Sequence, residues 1–267
     1  MDRTFPLLAA GDMPPVSVIN ADGGSAFLIV ADHAGNAFPR ALDTLGLTAV
    51  DRARHIAWDI GIAGACHRLA DILHATLIQQ NYSRLVIDCN RPPGVPDSIP
   101  EASDGTPVPG NRGLDAAARS ARTGEIFQPY HARIAAELDR RQAARRPTVL
   151  VAMHSFTPVF SGVRRPWHVG VLYHRDARFA GALLATLRRD RDLVVGDNEP
   201  YSVSDATDWT IPEHGERRGL LHVGIEIRQD LLAHPQGQAE WGARIAAMLP
   251  QALANCAERE AVDQPEC

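Results

Sequence analysis

A length of 267 residues, 45% hydrophobic and 22% charged, is an ordinary globular balance, enough for one large α/β domain or two small ones. A formal net charge of −5 and a pI near 6.1 give no electrostatic case for nucleic acid. No apolar run approaches the ~18 residues of a membrane span and no signal-peptide core opens the chain, so a cytoplasmic protein without membrane contact is expected.

Residues 1–20 carry Pro6, Pro14, Pro15 and a Gly11-Asp12 break, which predicts an irregular lead-in. Residues 26–30 are continuously apolar, as in a strand buried on both faces of a parallel sheet. That run stops at Asp32-His33-Ala34-Gly35-Asn36. Residues 60–73 repeat apolar positions at helical spacing, with Asp59 placed to cap the helix. Short strands are predicted at 76–80 and 85–87, the second running into Asp88-Cys89-Asn90-Arg91. Prolines and glycines from Pro92 to Gly113 then predict a long loop, a feature usually tied to function or disorder. Residues 125–141 form an amphipathic helix pattern, in which Pro129 is tolerable only in a first turn.

Strands follow at 149–153, ending at His154-Ser155, and at 169–173. A helix at 177–188, a short strand at 193–195, a strand at 223–227 and a helix at 238–254 complete the order, with a polar, frayed tail. Alternating strands and helices from residue 26 onward predict one α/β domain spanning 1–267 with a mainly parallel sheet. None of the four cysteines (Cys66, Cys89, Cys256, Cys267) pairs at C-x-x-C spacing, so reduced, mostly buried thiols are expected.

In open α/β sheets, ligands bind beyond the carboxyl ends of the strands. Four predicted strands end in or contain polar groups there: Asp32 and His33; Asp88, Asn90 and Arg91; His154; and Glu226 with Arg228. His33 and His154 are the metal-ligand candidates, since imidazole suits zinc and a catalytic zinc takes three protein ligands plus water. Asp59 is the candidate third ligand, with helix capping as its competing role and Asp32 and His55 as alternatives. Glu226 lies in an apolar strand, where an idle carboxylate is costly; it is the candidate general base, against a salt bridge to Arg228 or Arg84. Arg84, Arg91 and Arg228 are candidates for binding a substrate carboxylate, with a structural ion pair favoured for Arg84. Asn90 adds a neutral donor. His214 lies in a polar loop with Tyr201 and Thr210 and is a candidate for a substrate lid. No G-x-S-x-G, H-E-x-x-H, Walker or G-x-G-x-x-G pattern is present.

These stretches resemble the N-formylglutamate amidohydrolase family. The resemblance rests on Ala31-Asp32-His33-Ala34-Gly35, Trp58-Asp59, Ser83-Arg84-Leu85-Val86-Ile87-Asp88-Cys89-Asn90-Arg91-Pro92 and Met153-His154-Ser155-Phe156. Asn198-Glu199-Pro200-Tyr201, His214-Gly215 and Ile225-Glu226-Ile227-Arg228 follow in order, so the match covers about residues 26 to 232. It implies a three-layer α/β/α sandwich with a mainly parallel mixed sheet, a phosphorylase/hydrolase-like fold related to zinc carboxypeptidases. It also implies one zinc ion per chain and hydrolysis of N-formyl-L-glutamate to glutamate and formate, a step in histidine degradation. His33, His154 and Glu226 match two metal ligands and the base of those carboxypeptidases. Asn36 stands where they have a glutamate ligand. Asn90-Arg91 resembles the pair that holds their substrate carboxylate. The expected partner is a small anionic N-acyl amino acid. A hydrolase of another N-acyl amino acid or small peptide, and a non-catalytic binding relative, are the competing readings.

Overall fold

The computed structural model describes residues 6–263. In chain order its strands are β1 (Val16–Ile19), β2 (Phe27–Ala31), β3 (Thr76–Gln80), a hairpin of β4 (Ala102–Ser103) and β5 (Thr106–Pro107), and β6 (Val149–Phe156). A second hairpin, β7 (Val159–Phe160) and β8 (Val163–Arg164), precedes β9 (Val169–Leu172), β10 (Val195–Asp197) and β11 (Leu221–Arg228). Seven strands form one sheet in the order β1-β3-β2-β6-β11-β9-β10. β3, β2, β6 and β11 run parallel, as do β9 and β10, whereas β1 and β9 pair antiparallel with their inner neighbours. The sheet is therefore mixed and mainly parallel, as expected.

Both faces of the sheet are covered, which is why its strands read as unbroken apolar runs. In β2, Phe27, Ile29 and Ala31 enter one core with the helices α2 (Ile62–Leu73), α5 (Arg178–Leu187) and α6 (Pro235–Asp263). Leu28 and Val30 enter the other, under Ile126, Tyr130, Ile134 and Leu138 of the long helical segment at 116–143. The three-layer α/β/α sandwich follows from this period-two alternation. A short helix, α1 (Ala49–Ala53), capped by Thr48, leads into the segment that carries His55 and Asp59.

The structure departs from sequence expectation in five places. Residues 16–19, expected to be irregular, form the edge strand β1. The apolar residues 85–87 form a buried turn, not a strand. Their carbonyls need no sheet partner, because Asn111 Nδ2 donates to Leu85 O at 2.8 Å and Arg122 Nη1 to Val86 O at 2.9 Å. β6 runs on through His154 to Phe156, so His154 lies within a strand. The expected helix at 125–141 is one continuous segment, α3 (Ala116–Arg122), a widened π turn (Thr123–Phe127) and α4 (Gln128–Ala143). Pro129, with no N–H to donate, is the second residue of α4, just past the widened turn. Finally, α6 extends to Asp263, so residues 255–263 are helical rather than a frayed tail. Cys66 and Cys89 are buried free thiols and Cys256 is buried; Cys267 lies outside the described residues.

Candidate active site

The carboxyl ends of β2, β6 and β11 define the site. In the parallel β6–β11 pair, His154 stands opposite Glu226, so the two side chains share one face. One step back on that face stand Ala152 and Gly224, and their small size leaves a cavity of about 460 Å³ above the sheet. His33 enters it from the turn after β2. Asp59 enters because it does not cap α2: the cap position is Gly61, at φ 79°. A Cβ there would come within 2.3 Å of the Leu232 carbonyl oxygen, so only glycine fits this left-handed turn. The turn leaves the Asp59 carboxylate free to point inward.

His33, Asp59 and His154 are all buried, and one ligand atom from each lies within 4.8 Å of the others. His33 Nδ1 is 3.7 Å from Asp59 Oδ2, and His154 Nδ1 is 3.1 Å from the same oxygen. Each ring turns its other nitrogen to a second buried carboxylate. His33 Nε2 lies 2.7 Å from Asp88 Oδ1, and His154 Nε2 lies 3.2 Å from Asp32 Oδ2. With His33 Nε2 hydrogen-bonded to Asp88 and His154 Nε2 at ion-pair distance from Asp32, both Nδ1 atoms face Asp59. Such a convergence of donor atoms requires a proton or a cation between them. Two imidazoles and a carboxylate are a donor set that suits zinc, and carboxylates behind metal-binding imidazoles fix their tautomer and orientation.

The electrostatics treat the two imidazoles differently. Burial, with the positive Arg84 nearby, lowers His33 to about 4, which keeps its ring neutral and able to ligate. Burial works against charge on Asp88 and Asp32, yet His33 and His154 respectively hold both carboxyls below the usual range. Burial also works against a proton on His154, but Asp32 and Glu226 outweigh it and raise its pKa. Glu226 is buried and, among the described residues, its Oε2 has no hydrogen-bond partner. Burial pushes its carboxyl up, opposed by His154 and Arg84.

Other expected residues divide. Arg84 lines the cavity with its guanidinium bound to Asp59 Oδ1, the ion-pair role favoured for it. Arg91 also lines it; among the described residues it donates to the carbonyls of Asn90 and Thr207 and pairs with no carboxylate. Asn90 lines the cavity and pins its far wall, accepting from the N–H groups of Trp209 and Thr210 and donating to Asp208 Oδ1. Arg228 does not line it. Its guanidinium pairs with Asp230 at 2.7 Å and donates to the carbonyls of Pro166 and Trp167. His214 is no lid: it is buried on a second π turn (Ile211–Glu216), 2.9 Å from His131 Nδ1 and outside the cavity lining. Tyr201 and Thr210, its loop companions in the sequence, do line the cavity. Sequence reading gave Asp88 no role, although its place before Asn90-Arg91 was visible; only the 2.7 Å contact to His33 reveals it.

Residues 25–233 match the model of the family described as N-formylglutamate amidohydrolase. The chain belongs to this family. Among solved structures, a gene product of Agrobacterium tumefaciens is 39% identical, with 93% of this chain and 98% of that one covered at a TM-score of 0.90. The N-formylglutamate amidohydrolase of Ralstonia eutropha shares 17% identity and the fold, with 90% and 99% covered at a TM-score of 0.67. No curated protein sequence matches the chain. The matched span of this N-formylglutamate amidohydrolase family member contains His33, Asp59, Asp88, His154 and Glu226, and both cavity arginines. Among its described residues, no helix is long and apolar enough to cross a membrane.

The backing carboxylates give a first expected result. Asp88→Asn replaces the charged acceptor at His33 Nε2 with a weaker, neutral amide oxygen and should weaken binding of a zinc ion at this cluster about 10–100-fold, with Asp32→Asn acting likewise through His154. Competition with a chelating dye measures this. Unchanged affinity in both variants would show that the carboxylates do not orient the imidazoles.

Proposed function

We propose that this chain is a zinc-dependent amidohydrolase that cleaves N-formyl-L-glutamate, or a closely related N-acyl amino acid, to the free amino acid and formate or the corresponding acid. Family membership supports the amidohydrolase chemistry. The observation that carries the zinc reading is the convergence of two carboxylate-backed imidazoles on Asp59, beside the unpartnered Oε2 of Glu226. With N-formyl-L-glutamate as the substrate, the reading extends to a cytoplasmic step of histidine degradation, the role the family resemblance implies; with a larger acyl group it does not.

His33 Nδ1, His154 Nδ1 and an Asp59 oxygen would hold the metal, and Arg84 steadies the Asp59 carboxylate. When bound, zinc supplies Lewis acidity and lowers the pKa of water to about 7. Glu226 Oε2 accepts a proton from the attacking water and returns it to the amide nitrogen as the C–N bond breaks. Arg91, which pairs with no carboxylate among the described residues, binds the substrate carboxylate. Asn90 holds the 208–210 wall against which the amino acid half rests.

Formate release from N-formyl-L-glutamate by zinc-loaded protein, with chelator-treated protein as control, tests the proposal. No release of formate or other acid from any N-acyl amino acid at any metal loading overturns it. Arg91→Lys tests the anion site. A planar fork becomes a point charge, so KM for anionic substrates should rise about 10–100-fold, the value of a charge-assisted bond worth about 1.5–3 kcal/mol. KM for an amidated analogue should barely move. Equal effects on both substrates would remove Arg91 from the carboxylate contact.

A further inference from the structure

A second cleft of about 670 Å³ adjoins the catalytic cavity. His55, Arg84, Arg91 and Tyr201 line both, so the two are continuous at the metal-ligand cluster. His55 Nε2 stands 3.7 Å from Asp59 Oδ1, at the neck. Both lobes mix polar and apolar groups, but only the second carries an exposed aromatic ring of its own. The first alone holds Asn90, Thr207, Asp208 and Thr210, a polar wall. The second alone holds Ile56, Ile60 and Phe160, beneath the β4–β5 and β7–β8 hairpins, with Arg54, Asp97 and Asp104 at its polar margin.

The rim of the second lobe is aromatic and uncovered. Phe160 is 49% exposed and Tyr201 41%, and the same hairpin also exposes Val159 and Val163. These rings are braced, not loose. The Arg165 guanidinium lies 4.7 Å from the Phe160 ring centroid and 4.8 Å from that of Tyr201, and donates to the Tyr201 hydroxyl at 2.9 Å. Fixed, solvent-exposed apolar surface beside a catalytic cavity marks a place for a ligand. A formyl group is a single carbon and leaves this lobe empty.

We propose that the natural substrate carries an acyl group larger than formyl, with a flat apolar segment that passes His55 and Arg84 and lies between Phe160, Tyr201 and Ile56. This rests on the amidohydrolase reading above and names its acyl class. The amino acid half, with its carboxylate at Arg91, keeps to the polar lobe. The reaction balances as simple hydrolysis: water gives OH to the acyl carbon and H to the amine nitrogen, releasing an arylalkanoic or similar acid.

The test is a series of N-formyl-, N-acetyl-, N-hexanoyl- and N-phenylacetyl-L-glutamate on zinc-loaded protein. The expected result is kcat/KM rising from formyl to phenylacetyl by about tenfold or more, since each methylene in a fitted apolar pocket is worth roughly tenfold. Phe160→Ala should cut the phenylacetyl-to-formyl ratio about tenfold, and Phe160→Tyr should keep it. Formyl as the preferred group, or a ratio that Phe160→Ala leaves unchanged, overturns the inference and leaves the amidohydrolase reading standing. Hydrolysis of none of the four overturns both.

Discussion

Glu226→Gln keeps bound zinc and substrate affinity and loses about 10²–10⁴-fold in kcat, the range set by general acid–base catalysis. The amide is nearly isosteric and has no oxygen able to take the proton from water. The loss should come without a loss of stability. Glu226 Oε2 is buried with no partner among the described residues, and burial raises its pKa above the ordinary 4.5. For a carboxyl raised on folding, the unfolded chain releases its proton first. Stability therefore falls as pH rises from 4.5 toward the folded value. In metal-free protein the Gln variant lacks that penalty, so its Tm above that pH should equal or exceed that of the wild type. Parallel measurement of kcat, zinc content and Tm checks this. A kcat within about tenfold of wild type, with zinc retained, would make Glu226 structural and end its role as base.

His33→Asn/His154→Asn should purify folded and essentially free of zinc, with no measurable turnover. Asparagine is the better replacement here, because alanine would strip the buried Asp88 and Asp32 of their imidazole partners, leaving them only the Asn90 N–H and the Thr210 hydroxyl, and breaking a buried pair costs about 3–5 kcal/mol. Asparagine still offers an amide N–H toward each carboxylate, but it cannot present a nitrogen lone pair to a metal. Two of the three ligands are lost, and with them most of the binding free energy of roughly 10–16 kcal/mol typical of complete zinc sites. Elemental analysis after dialysis is the measurement. Stoichiometric zinc in the double variant would place the metal elsewhere and sink the assignment of His33, Asp59 and His154 as its cradle.

Local reading works where the physics is local. The buried strands at 26–30, 149–153 and 223–227 were legible, because a sheet covered on both faces needs unbroken apolar runs. His33, His154 and Glu226 were legible too, since polar groups at the ends of such runs, or within them, are costly without a use. Arg91 stood out by its position after an apolar stretch, even though that stretch is a buried turn and not a strand. The strand β1 was missed because its alternation is short and sits among prolines; pairing with β3, sixty residues on, is what orders it.

By itself, then, the sequence determined the layered α/β architecture, the two imidazoles, the late carboxylate and the Asn90-Arg91 pair, all of which follow from hydrophobic period and residue chemistry. The tertiary structure alone decided which of them meet. Asp59 was poised between helix cap and inward-facing ligand until the left-handed turn at Gly61, packed on Leu232, took over the cap. Asp88 and Asp32 gained their places behind His33 and His154 from contacts 55 and 122 residues apart in sequence. Arg228 shares a strand with Glu226, yet it turns to Asp230 and the Pro166 and Trp167 carbonyls instead of the cavity. His214 is folded inward against His131. Periodicity fixes which face a residue joins. Where side-chain tips converge depends on strand register and turn conformation, set by packing between segments that no local window spans.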